Sequence, residues 1–166
     1  MKILVAGLGS PVGDDRIGWQ VVEALGKRSD LPDDVTVVAL PHPMALAPLL
    51  QEADRALIID AVVTGGTPGE LHEFDLKKVP PPARISSSSH GTDLAEVIAL
   101  VERVGRLPRE LRLLGVEIGS DSCPPGVAVG SAALGMGLDG VAGSELVAKV
   151  IDQTRRVVQI MRSHSR

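Results

Sequence analysis

The sequence predicts an α/β fold: a single three-layer α/β/α domain whose mostly parallel, twisted sheet lies between helices. Three observations lead there. Short apolar runs of strand length alternate with amphipathic stretches of helical period along the chain. Aromatic residues make up 1% of the composition, Trp19 and Phe74, so the core is aliphatic. No internal repeat or long linker interrupts the 166 residues, which suits one domain spanning residues 1–166.

Each element has its own signal. Residues 2–7, KILVAG, are an apolar run closed by glycine, and from Ile17 the apolar positions Ile17, Val21, Val22 and Leu25 recur at helical spacing. The second strand, Val35 to Leu40, is stopped by Pro41 and Pro43; a short helix over Met44 to Leu50 then leads to a third strand at Ala56 to Val63. Gly65, Gly66 and Pro68 mark a turn, after which Glu70 to Phe74 alternates as an extra edge strand before the Pro80-Pro81-Pro82 breaker. Leu94, Val97, Ile98 and Val101 share one face of a helix over Asp93 to Val104, with Asp93 and Glu96 at capping-box spacing. Leu111 to Ile118 forms the last buried strand and Glu145 to Met161 a terminal amphipathic helix. The Gly-, Ala-, Ser- and Pro-rich residues 119–144 carry no periodic signal.

Composition excludes several classes of function. The chain has 44% hydrophobic and 23% charged residues and a formal net charge of −4, which is ordinary for a globular protein and rules out wholesale disorder. Without Lys/Arg clusters it lacks the electrostatic footprint for phosphate backbones or anionic membranes. So few aromatic residues cannot build stacking platforms for bases. A single cysteine, Cys123, precludes an internal disulfide or a thiolate-clustered metal site, and fits a reducing, cytoplasmic compartment. The apolar stretch at the N-terminus is too short for a signal-peptide core or a membrane span.

In a parallel α/β sheet, ligands gather beyond the carboxyl ends of the strands. Asp14 and Asp15 follow the first strand and its loop GLGSPVG, Asp60 ends the run ALIID, and His90 closes a serine-rich loop ahead of a helix. Asp15, Asp60 and His90 would give two carboxylates and an imidazole with open positions, a set suited to a divalent transition ion. Each also has a plainer reading. Asp14 or Asp15 could cap the first helix, and a lone histidine is more often a hydrogen-bonded bystander. Asp60 resists that treatment, because a carboxylate buried without a partner is costly. His42 is expected in a loop, and His72 and His164 are expected to be solvated.

Two other chemistries are weaker. Gly7, Gly9 and Gly13 are spaced G-x-G-x-x-x-G, which invites a nucleotide- or phosphate-binding module, but Leu40 and Pro41 stand where the second strand would present an acid to a ribose. Cys123 has no nearby histidine, and no G-x-S-x-G elbow activates a serine. A hydrolase with its own resident metal, acting on small peptides, is the third possibility.

The blocks ILVAGLGSPVGDDRIGWQVVEAL at 3–25, LIIDAVV at 57–63, SSSSHGTDLAEVIAL at 86–100 and LLGVEIG at 113–119 together resemble the endopeptidases that mature nickel–iron hydrogenases. These remove a C-terminal extension from the large subunit precursor. The resemblance implies a phosphorylase/hydrolase-like α/β fold and carries the family's metal-binding and catalytic roles onto Asp15, Asp60 and His90. It implies nickel supplied by the precursor itself, with other divalent ions substituting in isolation, so that cleavage follows metal loading. Gly7, Gly9, Gly13 and Gly18 match glycines that shape the loop and the entry of the first helix. The chain departs from the family's usual pattern at Ser10, where Asn is common, and at Arg16, where Gly is common; Arg16 places a bulky cation beside the site.

Overall fold

Six consecutive buried residues, Ile3–Leu8, form strand β1, an interior strand of a five-stranded sheet. The computed structural model describes residues 1–9, 16–78, 94–118 and 141–164. After β1 come helix α1 (Ile17–Gly26), β2 (Val35–Leu40), a 3₁₀ turn (Pro43–Ala45), α2 (Leu46–Glu52), β3 (Arg55–Val62), β4 (Leu71–Asp75), α3 (Leu94–Val104), β5 (Glu110–Glu117) and α4 (Val141–Ser163). Strand order is β2-β1-β3-β5-β4, parallel except for β4, which pairs antiparallel with β5 at the edge. The α/β architecture and the extra edge strand are therefore as expected.

Alternation along the strands divides the core in two. Ile3 and Val5 of β1, Leu57, Ile59 and Ala61 of β3, and Leu114 and Val116 of β5 pack against α1 and α4, through Val21, Val22, Leu25, Val150 and Val157 among others. Leu4, Ala6 and Leu8, with Ala56, Ile58 and Val62 and with Leu111 and Leu113, pack against α2 and α3 through Leu46, Leu50, Leu94, Val97 and Val101. Every residue of β3 and most of β5 is buried, as helices on either side of a parallel sheet require. Leu113 is fully buried on the α3 side. Leu113→Ala should lower the unfolding free energy by about 2–5 kcal/mol without changing the denaturant slope, as measured by urea titration; a loss below about 1 kcal/mol would mean that the core collapses freely around the gap.

Helix α4 begins at Val141, earlier than Glu145, and extends to Ser163. Glycine lowers helix preference by only about 1 kcal/mol per residue, so packing further along can carry the helix through Gly143 where periodicity shows nothing. Its far end is tied down: Arg55 donates to the His164 carbonyl at 3.1 Å, and His164 Nδ1 lies 3.6 Å from Glu110 Oε2. His164, expected to be solvated, is exposed but engaged. The Asp93 half of the expected capping box lies outside the described residues.

Candidate active site

The carboxyl edge of the sheet is set by how closely α1 approaches it. A Cβ on Gly7 would stand 2.1 Å from the Gly18 carbonyl oxygen, and one on Gly18 would stand 2.3 Å from that of Leu8 and 2.7 Å from that of Ile59. Only hydrogen fits at this crossing of β1, α1 and β3. Gly9 then has φ +133°, which L side chains rarely adopt, so glycine is required where the chain leaves β1. Trp19 of α1 donates through Nε1 to the Leu40 carbonyl at 3.1 Å, tying the helix to the end of β2. Arg16 occupies the N-cap position of α1, at the same edge.

Asp60 is the sixth residue of β3 and is fully buried. Its Oδ1 accepts the Ala61 N–H at 2.8 Å. The run does not end at Asp60, since Ala61 and Val62 continue the strand. By alternation with Ile58 and Val62, its side chain faces the α2/α3 layer. Asp15 and His90, the other two residues expected at the site, lie outside the described residues, as do Asp14, Ser10, Gly13, Cys123 and the serines at 86–89. Among the described residues no set of three His, Cys, Asp or Glu side chains could hold a metal ion.

The same sheet face carries a second polar group. Asp60 is in register with Gly115 of β5, and Gly115 with His72 of β4, so the three share one row across the sheet. One row further on, Val62 pairs with Glu117. Glu117 is fully buried and accepts the Thr64 N–H at 3.1 and 2.9 Å and the Thr64 hydroxyl at 2.6 Å. His72 Nε2 lies 3.3 Å from Glu117 Oε2 and 3.3 Å from Thr64 Oγ1. Backbone bonds from Gly69 N to the Glu117 carbonyl, and from Glu117 N to the Glu70 carbonyl, seat the β3–β4 connection on the end of β5. A Cβ on Gly66 would approach Glu70 Oε2 to 2.9 Å and His72 Nε2 to 3.2 Å, so the turn passes tightly over these side chains.

His72 is thus a half-buried residue hydrogen bonded to the buried Glu117 and not the solvated strand residue expected. Glu117 was missed altogether, although the signal was present: LLGVEIG places a charge at the end of an apolar strand just as LIID does. A cavity of about 250 Å³ lies elsewhere, on the α1/α4 face, lined by Val5, Leu25, Val35 and Val37 with Asp30 and Arg155 at its side. There the Arg28 guanidinium, hydrogen bonded to Asp30, holds that carboxyl down to about 2.

Residues 19–124 match the family model described as hydrogenase maturation protease. The chain belongs to that family. Over 119 residues it is 34% identical to the hydrogenase 2 maturation protease of Escherichia coli K12, covering 70% of this chain and 73% of that protein. It is equally 34% identical over 119 residues to the hydrogenase expression/formation protein HupD of Bradyrhizobium diazoefficiens, where the match spans 70% of this chain and 62% of the relative. The fold superposes on the hydrogenase maturating endopeptidase HybD of E. coli with a TM-score of 0.69 and 27% identity, over 99% of this chain and 94% of that one. A maturation protease is a hydrolase of peptide bonds. The family match takes in Asp60, His90 and Glu117 and begins just after Asp15. Among the described residues no helix is long and apolar enough to cross a membrane.

Proposed function

We propose that this chain removes the C-terminal extension of a nickel–iron hydrogenase large subunit precursor after nickel has been inserted, and that Asp15, Asp60 and His90 recognise the inserted metal. One observation supports this most: Asp60 is a fully buried carboxylate on the central strand β3, close to the carboxyl edge where α/β enzymes bind ligands, in a chain of the maturation protease family. A charge is retained in such a place when a cationic partner compensates its desolvation. The nickel is part of the substrate. Two carboxylates and an imidazole leave coordination positions that thiolates of the precursor can fill, so that docking depends on loading. The metal then acts as a checkpoint, and cleavage releases a processed subunit in the cytoplasm, where the precursor is made.

The test is the intact mass of the host's own precursor after incubation with the purified protein, with nickel-loaded and nickel-free precursor in parallel. A discrete C-terminal loss confined to the loaded form is expected. Equal cleavage of both forms would eliminate the checkpoint, and an intact precursor that another maturation protease does cut would eliminate the peptidase reading.

A further inference from the structure

Metal recognition leaves Thr64, His72 and Glu117 without a task, yet their hydrogen bonds specify a protonation state. Both Glu117 oxygens act as acceptors toward Thr64, as an ionised carboxylate does. The Thr64 hydroxyl spends its only proton on Glu117 Oε2 at 2.6 Å, so it can only accept from His72. Both neighbours of His72 Nε2 are then acceptors, at 3.3 Å each. Nε2 therefore carries a ring proton, and in the neutral imidazole Nδ1 is the nitrogen with the lone pair. Among the described residues Nδ1 makes no hydrogen bond, and the side chain retains 23% exposure. A histidine oriented through one nitrogen by a buried carboxylate, with the other nitrogen basic, is the arrangement that proton-accepting catalysis uses.

We propose that His72 is the proton acceptor for peptide-bond cleavage, with Glu117 and Thr64 as its positioning residues; this rests on the peptidase reading above. His72 lies on the same sheet face and in the same row as Asp60, two strands away across Gly115. That separation is about 10 Å between Cα atoms at normal interstrand spacing. The Val62 side chain fills the gap, since a Cβ on Gly115 would stand 2.7 Å from its Cγ1. A precursor segment anchored at Asp60 and laid across this edge reaches His72 within a few residues, so the bond that is cut lies beside the recognised metal and not on it. In the reaction, a water O–H bond breaks as its proton passes to Nδ1, and the oxygen bonds to the carbonyl carbon. The C–N bond then breaks as Nδ1 returns the proton to the departing amine nitrogen. Among the described residues the charged groups facing His72 are Glu117 from β5 and Glu70 from the β3–β4 connection, with Asp60 further along the row.

The test combines nitrogen-15 NMR of the His72 ring in the full chain with cleavage of nickel-loaded precursor by wild type, His72→Gln and Glu117→Gln, from about pH 5 to pH 9. The Nε2–H tautomer is expected. His72→Gln should lower kcat roughly 100- to 10,000-fold with KM little changed, and should erase the acid limb of the pH profile. Glu117→Gln should keep part of the activity and loosen the hold on the Nε2–H tautomer, because the amide offers Thr64 and His72 one acceptor oxygen in place of two. An Nδ1–H tautomer, or His72→Gln cleaving at the wild-type rate with the same acid limb, overturns the assignment and leaves the peptidase reading intact. A wild type that cuts no precursor overturns both.

Discussion

Asp60→Asn should leave the protein folded and remove most precursor cleavage. Asparagine keeps the side-chain shape and an oxygen that can still accept the Ala61 N–H, which Asp60 Oδ1 now does at 2.8 Å. What it loses is the negative charge. Removing one partner of a desolvated charge pair costs about 2–5 kcal/mol, which is roughly 30-fold to several thousand-fold in kcat/KM for the nickel-loaded precursor. Stability should hold or rise, because a neutral amide at a fully buried position is cheaper to desolvate than a carboxylate. Calorimetry and precursor mass, measured on the same preparation, separate the two effects. An active and equally stable variant would dismiss Asp60 from the site, while an unfolded one would mean that its charge is structural.

Gly18→Ala should be strongly destabilising although it adds a single methyl. In an ordinary helix interior, alanine is favoured over glycine by about 1 kcal/mol. Here the added Cβ would lie 2.3 Å from the Leu8 carbonyl oxygen and 2.7 Å from that of Ile59. Both are backbone atoms of central strands, so relief requires α1 to lift from the sheet. Overpacking against backbone costs more than the helix preference returns, and a net loss above about 3 kcal/mol in urea unfolding is expected. Cleavage should fall as well, because α1 sets the edge on which the site is built. A stabilised Gly18→Ala protein would show that α1 stands further from β1 than the structure places it.

Most of the fold could be read from residue order. The runs at Val35–Leu40 and Leu111–Ile118 are apolar enough and short enough to be buried strands, and Leu94, Val97, Ile98 and Val101 share a helix face at any plausible register. Legibility stopped at Val141–Glu145, where small residues give no periodic contrast, so that helix α4 begins without a hydrophobic stripe to announce it. The site was read unevenly. Asp60 stood out because a charge interrupts an apolar run, while Glu117 in the equivalent place on β5 passed unnoticed, and His72 looked like an exposed strand residue because β4 is short and alternating.

By itself, then, the sequence determined the element types, the aliphatic core and the buried carboxylate of Asp60, because burial and helical or strand periodicity are local patterns that a single chain displays in order. Only the tertiary structure decided which side chains meet. Thr64, His72 and Glu117 are separated by up to 53 positions along the chain and come together because β4 turns back antiparallel onto β5. The His72 tautomer follows from that pairing, since a proton's position depends on which acceptors surround the ring. Likewise the need for glycine at both 7 and 18 is a property of the crossing between β1 and α1, where two backbones approach too closely for either to carry a side chain.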